Sequence, residues 1–265
     1  MITEHFGLSR APFQKDIQIQ DLYLSENFSE LIARLHYTVK SRSLFLLTGE
    51  VGSGKSTALR SFSDQLDRTT HLFVYIADSG LTPRAFYERA LWAMGLEPAY
   101  FMVRLKERFH SGVVELAESG RHPVIAIDEG HDLEGRMLKE LTFLTNFHFD
   151  SKPLVTVILA GQPHLRATLA LRAYEPLSQR IGVRYHLGQM SQKETRDYIL
   201  HHLKTAGAQR TLFTDSVMDR LHAHAKGIPR VVNNLATACM IDAATRKADL
   251  VNDDNLERVI SDLNS

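Results

Sequence analysis

The feature that most constrains the fold is a glycine-rich turn set between a short apolar run and a helical pattern. Residues 44–48 are apolar, and residues 49–56 then read G-E-V-G-S-G-K-S, which matches G-x-x-x-x-G-K-[ST] at every position. Leu59, Phe62 and Leu66 follow at helical spacing. A strand, a glycine loop and a helix in this order predict a βα unit whose loop binds phosphate.

The residue types in this loop each have a physical reason. Glycines let backbone N–H groups converge on phosphate oxygens without a Cβ clash, and the helix N-terminus adds partial positive charge. Lys55 is expected to reach the β- and γ-phosphates of a nucleotide, and the Ser56 hydroxyl to ligate Mg²⁺. A glycine turn with a chance lysine would not account for the flanking strand and helix. The predicted nucleotide-binding residues are Gly49, Glu50, Val51, Gly52, Ser53, Gly54, Lys55, Ser56 and Thr57.

Another apolar run, residues 124–128, ends in two carboxylates, Asp128 and Glu129. An acidic residue at the carboxyl end of a parallel strand faces the same crevice as the phosphate loop. We therefore expect Asp128 to hold Mg²⁺, directly or through water, and Glu129 to polarise the attacking water. Taken alone, such a pair also fits a plain strand end, so the prediction of hydrolysis depends on its combination with the loop.

The pattern of the whole chain indicates an α/β domain followed by helices. Apolar runs alternate with helical segments, one opened by Thr82 and one over 136–147, which is typical of a mainly parallel sheet. The runs are 44–48, 72–77, 124–128, 154–160 and 183–187. From residue 188 onward only helix signals occur: a capping box at 191–194, caps at Thr214 and Asn252, and a stop at Gly227.

Three ranges follow from this pattern. Residues 1–43 are expected to be an N-terminal extension and a first helix that packs on the core. Residues 44–188 are expected to be the nucleotide-binding domain, with a five-stranded parallel sheet, and residues 189–265 a small all-helical domain.

Composition excludes several other classes of protein. Lys plus Arg and Asp plus Glu both number 31, so no global positive field indicates a nucleic-acid partner. The single cysteine, Cys239, excludes an internal disulfide. His222 and His224 are two apart on a predicted helix and diverge, so no metal other than Mg²⁺ is expected. The apolar run 154–160 is too short to span a bilayer, and the N-terminus lacks a signal pattern; we expect no membrane insertion and a cytoplasmic location.

Other polar residues make sense around a nucleotide. Gln162, after the fourth apolar run, either senses the terminal phosphate or caps the next helix. Arg180, before the fifth run, could project into a neighbouring subunit's site or form a surface ion pair, and Arg184 or Arg172 could play that part instead. Arg230 lies in the first turn of a predicted helix, which is unfavourable unless an anion is bound there.

Together these motifs resemble AAA+ ATPases and, within them, the ATPase domain of the ExeA/GspA type. The resemblance implies a sheet of order 5-1-4-3-2, a role for residues 189–265 as a small helical lid, and ATP bound at the subunit interfaces of a homo-oligomer. It implies Gln162 as sensor 1, Arg180 as arginine finger and Arg230 as sensor 2. The stretches that carry it are His5-Phe6-Gly7-Leu8, Pro12-Phe13, Leu22-Tyr23-Leu24-Ser25, residues 47–52 and 159–163, Arg180-Ile181, Tyr185-His186-Leu187 and Gly227-Ile228-Pro229-Arg230.

Two departures from the family pattern shape the functional hypotheses. Gly130-His131 follows Glu129 where the family more often has Ala-Gln, which leaves the role of the second position open. Secretion ATPases of this type carry a membrane anchor and a peptidoglycan-binding region after the ATPase domain, and these 265 residues show neither.

The chain also resembles stand-alone transposon ATPases of the TniB, TnsC, MuB and IstB type. We therefore expect a regulator that assembles with ATP as a ring, spiral or filament and binds double-stranded DNA without sequence specificity. This assembly is expected to recruit or activate a transposase. The alternatives are a secretion or envelope-assembly ATPase that acts with a membrane partner in trans, or a slowly hydrolysing interaction module. Basic residues that would serve DNA, or simply form a solvated helix face, are Arg84, Arg89, Arg104, Lys106 and Arg108. Trp92 and Cys239 are expected to pack in the interior.

Overall fold

The computed structural model describes residues 1–144 and 153–263. The chain divides into two compact units. The α/β unit comprises Asn27–Val51 and Lys55–Leu187, and the helical unit comprises Met1–Glu26, Gly52–Gly54 and Gly188–Ser265.

The α/β unit is built on a five-stranded parallel sheet of order β2-β3-β4-β1-β5. This is the predicted order read from the opposite edge, so the α/β fold and its strand order are confirmed. Every residue of β1, β3 and β4 is buried, as expected for strands covered on both faces. The strands are β1 (Leu44–Gly49), β2 (His71–Ala77), β3 (His122–Asp128), β4 (Thr156–Gly161) and β5 (Ile181–Leu187).

Helices α2 to α8 accompany the sheet, and α1 with α9 to α12 belong to the helical unit. Short 3₁₀ turns cover Ile19–Asp21, Gly130–Asp132 and Arg172–Tyr174. The helices are α1 (Ile2–Phe6), α2 (Glu26–Ser41), α3 (Lys55–Gln65), α4 (Pro83–Ala93), α5 (Met102–Glu118), α6 (Gly135–Leu144), α7 (His164–Leu169), α8 (Glu175–Arg180), α9 (Gln192–Thr205), α10 (Asp215–Ala225), α11 (Pro229–Thr245) and α12 (Asp253–Leu263). Among the described residues, no helix combines the length and apolar character that a bilayer span requires.

The predicted helix starts are confirmed by their capping hydrogen bonds. Thr82 accepts the backbone N–H of Ala85, and Ser191 forms a reciprocal capping box with Glu194. Thr214 caps α10 in the same way, through the backbone N–H of Val217. These bonds satisfy N–H groups that lack an intrahelical partner, and they depend only on residues near in sequence.

Several predicted boundaries were wrong by a few residues. The fifth strand begins two residues earlier than predicted, at Ile181, and the fourth begins at Thr156. Helix α10 ends at Ala225, because Lys226 already adopts the left-handed φ of 50° before Gly227 is reached. The predicted helix over 136–147 is seen as α6 to Leu144, and its last three residues lie outside the described residues.

The N-terminal residues bury their aromatic and aliphatic side chains in the helical unit. Phe6, Leu8 and Phe13 lie in the same hydrophobic core as Phe213 and Cys239. The residue pattern did not predict this grouping of residues 1–26 with the helices. The functional ranges 1–43, 44–188 and 189–265 themselves stay predictions.

Of the two residues expected in the interior, one is buried and one is not. Cys239 is fully buried, as predicted. Trp92 is 62% exposed, so that prediction was wrong. Helix α4 buries the stripe formed by Phe86, Ala90 and Leu91, and Trp92 lies off this stripe.

Candidate functional site

The glycine loop joins the buried strand β1 to helix α3 and closes around the lysine side chain. Lys55 is 7% exposed, and its Nζ donates to the carbonyl oxygens of Gly49 at 2.9 Å and Glu50 at 3.0 Å. The turn requires left-handed backbone at Gly52, with φ 80°, which is costly for residues that carry a Cβ. The ammonium group is thus held inside the loop, where an anionic ligand would bind.

The loop also holds a buried hydroxyl with no protein partner. Ser53 Oγ is buried and has no hydrogen-bond partner among the described residues. Buried polar atoms are nearly always paired, so an unpaired one within a glycine loop favours a polar ligand. Helix α3 begins immediately afterwards at Lys55, with the N–H groups that helix starts leave without intrahelical partners. Lysine, hydroxyl and helix start together fit a phosphate group.

The carboxylate of Asp128 is the centre of a hydrogen-bond cluster. Asp128 is 2% exposed, and its Oδ2 accepts from Ser56 Oγ at 2.7 Å and from the Tyr75 hydroxyl at 2.7 Å. Its Oδ1 accepts the backbone N–H of Glu129 at 2.9 Å. A hydroxyl and a carboxylate side by side are the hard oxygen ligands that Mg²⁺ prefers. The residues present therefore fit the predicted ion.

Sequence reasoning missed Tyr75 altogether. It lies on β2, whose parallel register pairs Ala77 with Asp128, so the phenol projects from the same face of the sheet as the carboxylate. Burial, followed by the hydrogen bond to Asp128, raises the pKa of Tyr75 above its usual range, so it donates as a neutral phenol. Only knowledge that β2 pairs with β3 could have identified this residue.

Beyond Asp128 the chain makes a tight turn that brings Glu129, His131 and Gln162 together. Glu129 has a left-handed φ of 55°, which is uncommon outside glycine, and its side chain is 50% exposed. His131, with a side chain 5% exposed, places Nδ1 3.5 Å from Glu129 Oε2. Its Nε2 lies 2.6 Å from Gln162 Nε2. Gln162 directs its side chain to His131, and the structure shows no side-chain cap at the start of α7.

Of the three candidate finger arginines, two lie in or directly before the edge strand β5 and the third lies in a 3₁₀ turn. Arg180 is the last residue of α8, directly before β5, and is half-buried. Arg184 is exposed on β5, and its Nη2 donates to the backbone oxygen of Ser178 at 2.6 Å and to its hydroxyl at 2.8 Å. Arg172 is exposed in a 3₁₀ turn. All three stay candidates for contact with a second copy of the chain.

Within the helical unit, Arg230 lies against the glycine-loop residue Gly52. The backbone N–H of Arg230 donates to the carbonyl oxygen of Gly52 at 3.2 Å. A Cβ built on Gly52 would lie 2.6 Å from the Arg230 Cβ, so this close approach also requires glycine. The structure thus brings the predicted sensor arginine to a residue of the predicted phosphate loop.

The basic residues considered for DNA are each engaged within the chain. Every one of them forms a short ion pair or a hydrogen bond to a backbone carbonyl, an arrangement typical of a solvated helix surface. The contacts are Arg84 with Glu88 at 2.8 Å, Arg89 with Asp78 at 2.6 Å, Arg104 with Glu107 at 2.7 Å, Lys106 with Glu140 at 2.6 Å and Arg108 with the Glu97 carbonyl at 2.6 Å.

Comparison with known proteins gives one matching family and one curated relative that is more than twice as long as the matched segment. The AAA domain family matches residues 37–169, half of the chain. General secretion pathway protein A of Aeromonas hydrophila is 33% identical over 249 residues, which cover 93% of this chain and 45% of that protein. The chain therefore spans less than half the length of this curated relative.

Solved structures with the same fold include Cdc6 and ORC proteins. Cdc6p of Pyrobaculum aerophilum matches with a TM-score of 0.68 and 13% identity, over 90% of this chain and 67% of that chain. The structure of Drosophila ORC bound to DNA matches with a TM-score of 0.67 and 15% identity, over 100% of this chain and 65% of that chain. At such identities the likeness concerns the fold alone.

Proposed function

Since this chain belongs to the AAA domain family and has the P-loop fold of AAA+ proteins, we propose that it binds ATP with Mg²⁺ and hydrolyses the nucleotide. The observation that carries the proposal is the 2.7 Å hydrogen bond from Ser56 to Asp128, residues 72 positions apart. It joins the phosphate loop to the acidic strand end in one site, where each alone has an ordinary structural explanation.

The residues divide the work of nucleotide binding and hydrolysis. The loop N–H groups and Lys55 bind the phosphates, and Ser56 and Asp128 hold Mg²⁺, which neutralises charge on the phosphate oxygens when bound. Glu129, half-exposed beside Asp128, accepts a hydrogen bond from the attacking water and orients it. The new bond forms from that water oxygen to the terminal phosphorus, and the bond to the bridging oxygen breaks, which yields ADP and phosphate.

The remaining predicted residues respond to the terminal phosphate. We assign Gln162 as sensor 1, because its side chain lies in the same cluster as Glu129 through His131. We assign Arg230 as sensor 2, since it contacts the loop residue Gly52. Arg180 is the arginine finger of a homo-oligomer, supplied to the neighbouring copy from the edge of the sheet, with Arg172 and Arg184 as alternatives. A cytoplasmic location, where ATP is available, is part of this proposal.

Two substitutions separate binding from hydrolysis. Lys55→Ala should abolish binding of a fluorescent ATP analogue, whereas Glu129→Gln should bind it normally while phosphate release falls about 10² to 10⁴-fold. The matched control is Glu118→Gln, at an exposed carboxylate at the end of α5, which should leave both measurements unchanged. Unaltered turnover in Glu129→Gln would contradict the assigned role.

Light scattering with and without a nonhydrolysable ATP analogue tests assembly into an oligomer. A protein that stays monomeric when saturated with the analogue would contradict the role of Arg180 as arginine finger.

For the biological process, the comparisons favour a secretion or envelope-assembly ATPase that acts with a membrane partner in trans. General secretion pathway protein A shares 33% identity with 93% of this chain, a likeness that extends through both units. Affinity capture with the Glu129→Gln variant, held in its ATP-bound form, should retain an envelope protein that Lys55→Ala does not retain. Capture of the same proteins by both variants would contradict an ATP-dependent partner.

The second candidate is the DNA-assembled transposition regulator that recruits a transposase. Its support is the likeness of fold to Drosophila ORC, solved bound to DNA. The internal pairing of Arg84, Arg89 and Arg104 counts against a basic surface ready for DNA. A titration of double-stranded DNA with and without ATP at two salt concentrations tests it, because binding through phosphate contacts must weaken steeply with salt. Absence of ATP-dependent, salt-sensitive binding would remove this candidate.

A further inference from the structure

His131 lies between the side chains of Glu129 and Gln162, two residues predicted from the sequence to take part in hydrolysis. His131 is in the 3₁₀ turn Gly130–Asp132, and its side chain is 5% exposed. One ring nitrogen faces the Glu129 carboxylate and the other faces the Gln162 amide. A single ring therefore joins the residue that follows β3 to the residue that follows β4.

The chemistry of the two ring nitrogens indicates how the contact works. A neutral imidazole has one N–H donor and one bare nitrogen acceptor. Glu129 Oε2 lies 3.5 Å from Nδ1, and a carboxylate partner favours the proton on that nitrogen. Nε2 then accepts an N–H of the Gln162 amide at 2.6 Å. Nδ1 also accepts the backbone N–H of Gln162 at 3.4 Å, and a proton on Nδ1 would replace this long hydrogen bond with the charge-assisted contact to Glu129. Asp132 Oδ1 lies 3.7 Å from Nε2.

Packing keeps the ring in this place. A Cβ on Gly161 would lie 3.0 Å from the backbone nitrogen of His131 and 3.4 Å from its Nδ1, so the end of β4 presses directly on the turn. The ring of His164 meets that of His131 edge-on, with centroids 5.0 Å apart. A buried ring packed on two sides has little rotamer freedom, and it transmits a shift of one partner to the other.

We propose that His131 is a positioning residue that couples Gln162 to Glu129, so that contact of Gln162 with the terminal phosphate orients the carboxylate for the attacking water. This inference rests on the proposed function. His131 exchanges no proton with substrate in this scheme. Its loss should therefore lower kcat and leave KM and nucleotide affinity nearly unchanged, because binding uses the loop and Lys55.

Substitutions at position 131 test the coupling. His131→Leu removes both polar contacts and should lower kcat roughly 10- to 100-fold, as expected for a misplaced reacting group. His131→Gln retains a donor and an acceptor on one side chain and should restore most of the rate. His131→Asn, whose shorter amide reaches one partner only, should behave like the leucine variant and replaces it if leucine prevents folding. The control is His110→Leu, at an exposed position on α5, which should match the wild type.

A double-mutant cycle shows whether His131 and Gln162 act together. Gln162→Leu and the double variant His131→Leu/Gln162→Leu should have nearly the same kcat, because Gln162→Leu already removes the contact between residues 131 and 162. Independent, multiplicative losses would overturn the coupling. So would equal rates in His131→Gln and His131→Leu, or a fluorescent ATP-analogue affinity that falls as much as kcat.

A readout without nucleotide comes from the ring itself. ¹⁵N NMR of the imidazole, assigned with His131→Gln, should show the proton on Nδ1, and a proton on Nε2 would overturn the link to Glu129. The proposed function is judged separately: if Glu129→Gln loses turnover while His131→Leu matches the wild type, only this inference fails. Unchanged turnover in Glu129→Gln would instead refute the proposed function.

Discussion

The turn between α10 and α11 offers a sharp test of how the helical unit is held together. Gly227 has a φ of 68°, and a Cβ built there would overlap the carbonyl oxygen of Met190 and lie 2.9 Å from the carbonyl carbon and the backbone nitrogen of the same residue. The backbone N–H of Met190 donates to the Gly227 carbonyl at 2.9 Å. Gly7 provides a matched control in the same unit, with a φ of 66° and nothing within 4 Å of its added Cβ.

The two Gly→Ala substitutions differ only in the neighbouring backbone. Gly7→Ala should cost about 1 kcal/mol in the free energy of unfolding, which is the penalty for an alanine in the left-handed region. Gly227→Ala carries the same penalty, and Met190 must also withdraw, because real Cβ contacts essentially never fall below 3.0 Å. Such a displacement of main chain breaks the Met190 hydrogen bond, worth about 1 kcal/mol, and loosens packing around it. We expect a total of about 3 kcal/mol or more.

Urea unfolding followed by far-UV circular dichroism measures this difference directly. The reasoning would be refuted if the two variants agreed within about 0.5 kcal/mol, the usual range for a surface change. Arg230 lies three residues after Gly227, in the first turn of α11, so with the proposed role of Arg230 the Gly227→Ala substitution should also weaken binding of an ATP analogue. Gly7→Ala should leave that affinity unchanged.

Three further predictions address titration, the acidic cluster and the thiol. Burial lowers the pKa of His202 to about 4 and likewise that of His122, so between these values and the ordinary histidine pKa the unfolded chain binds protons that the native chain does not. The free energy of unfolding should therefore fall from pH 6.5 to 4 by up to about 3 kcal/mol per histidine, and these two groups should contribute no pH dependence above pH 7. His202→Leu should reduce this slope in acid unfolding, and an unchanged slope would contradict the assignment. Tyr75→Phe removes a hydrogen bond to Asp128 and should raise the Mg²⁺ concentration that half-saturates ATP-analogue binding about tenfold; an identical Mg²⁺ titration would argue against a role for the phenol. Cys239 is fully buried and its pKa is raised to about 12 by burial, so thiol reagents should label it only on unfolding, and rapid labelling of the native protein would count against this packing.

Local features of this protein were predictable from the sequence by itself. The glycine loop, the acidic strand end and the caps at Thr82, Ser191 and Thr214 depend on residues close together in the chain, and the structure has all of them. The same short-range signals, with the resemblance they support, led to the family and the parallel sheet. Backbone hydrogen bonding and steric limits act over a few residues, so they leave a readable pattern.

The contacts between distant segments were decided only by the tertiary structure. Tyr75 reaches Asp128 because β2 pairs with β3, and His131 reaches Gln162 because the ends of β3 and β4 meet. Phe13 packs in the hydrophobic core of the helical unit, and no local sequence pattern predicts this contact. A side chain's partners depend on which strands and helices become neighbours, and that choice is made by the packing of the whole unit. The residues predicted to bind the phosphates were therefore identifiable from the sequence, and the residues that contact Asp128 and Gln162 from distant segments became identifiable only in the fold.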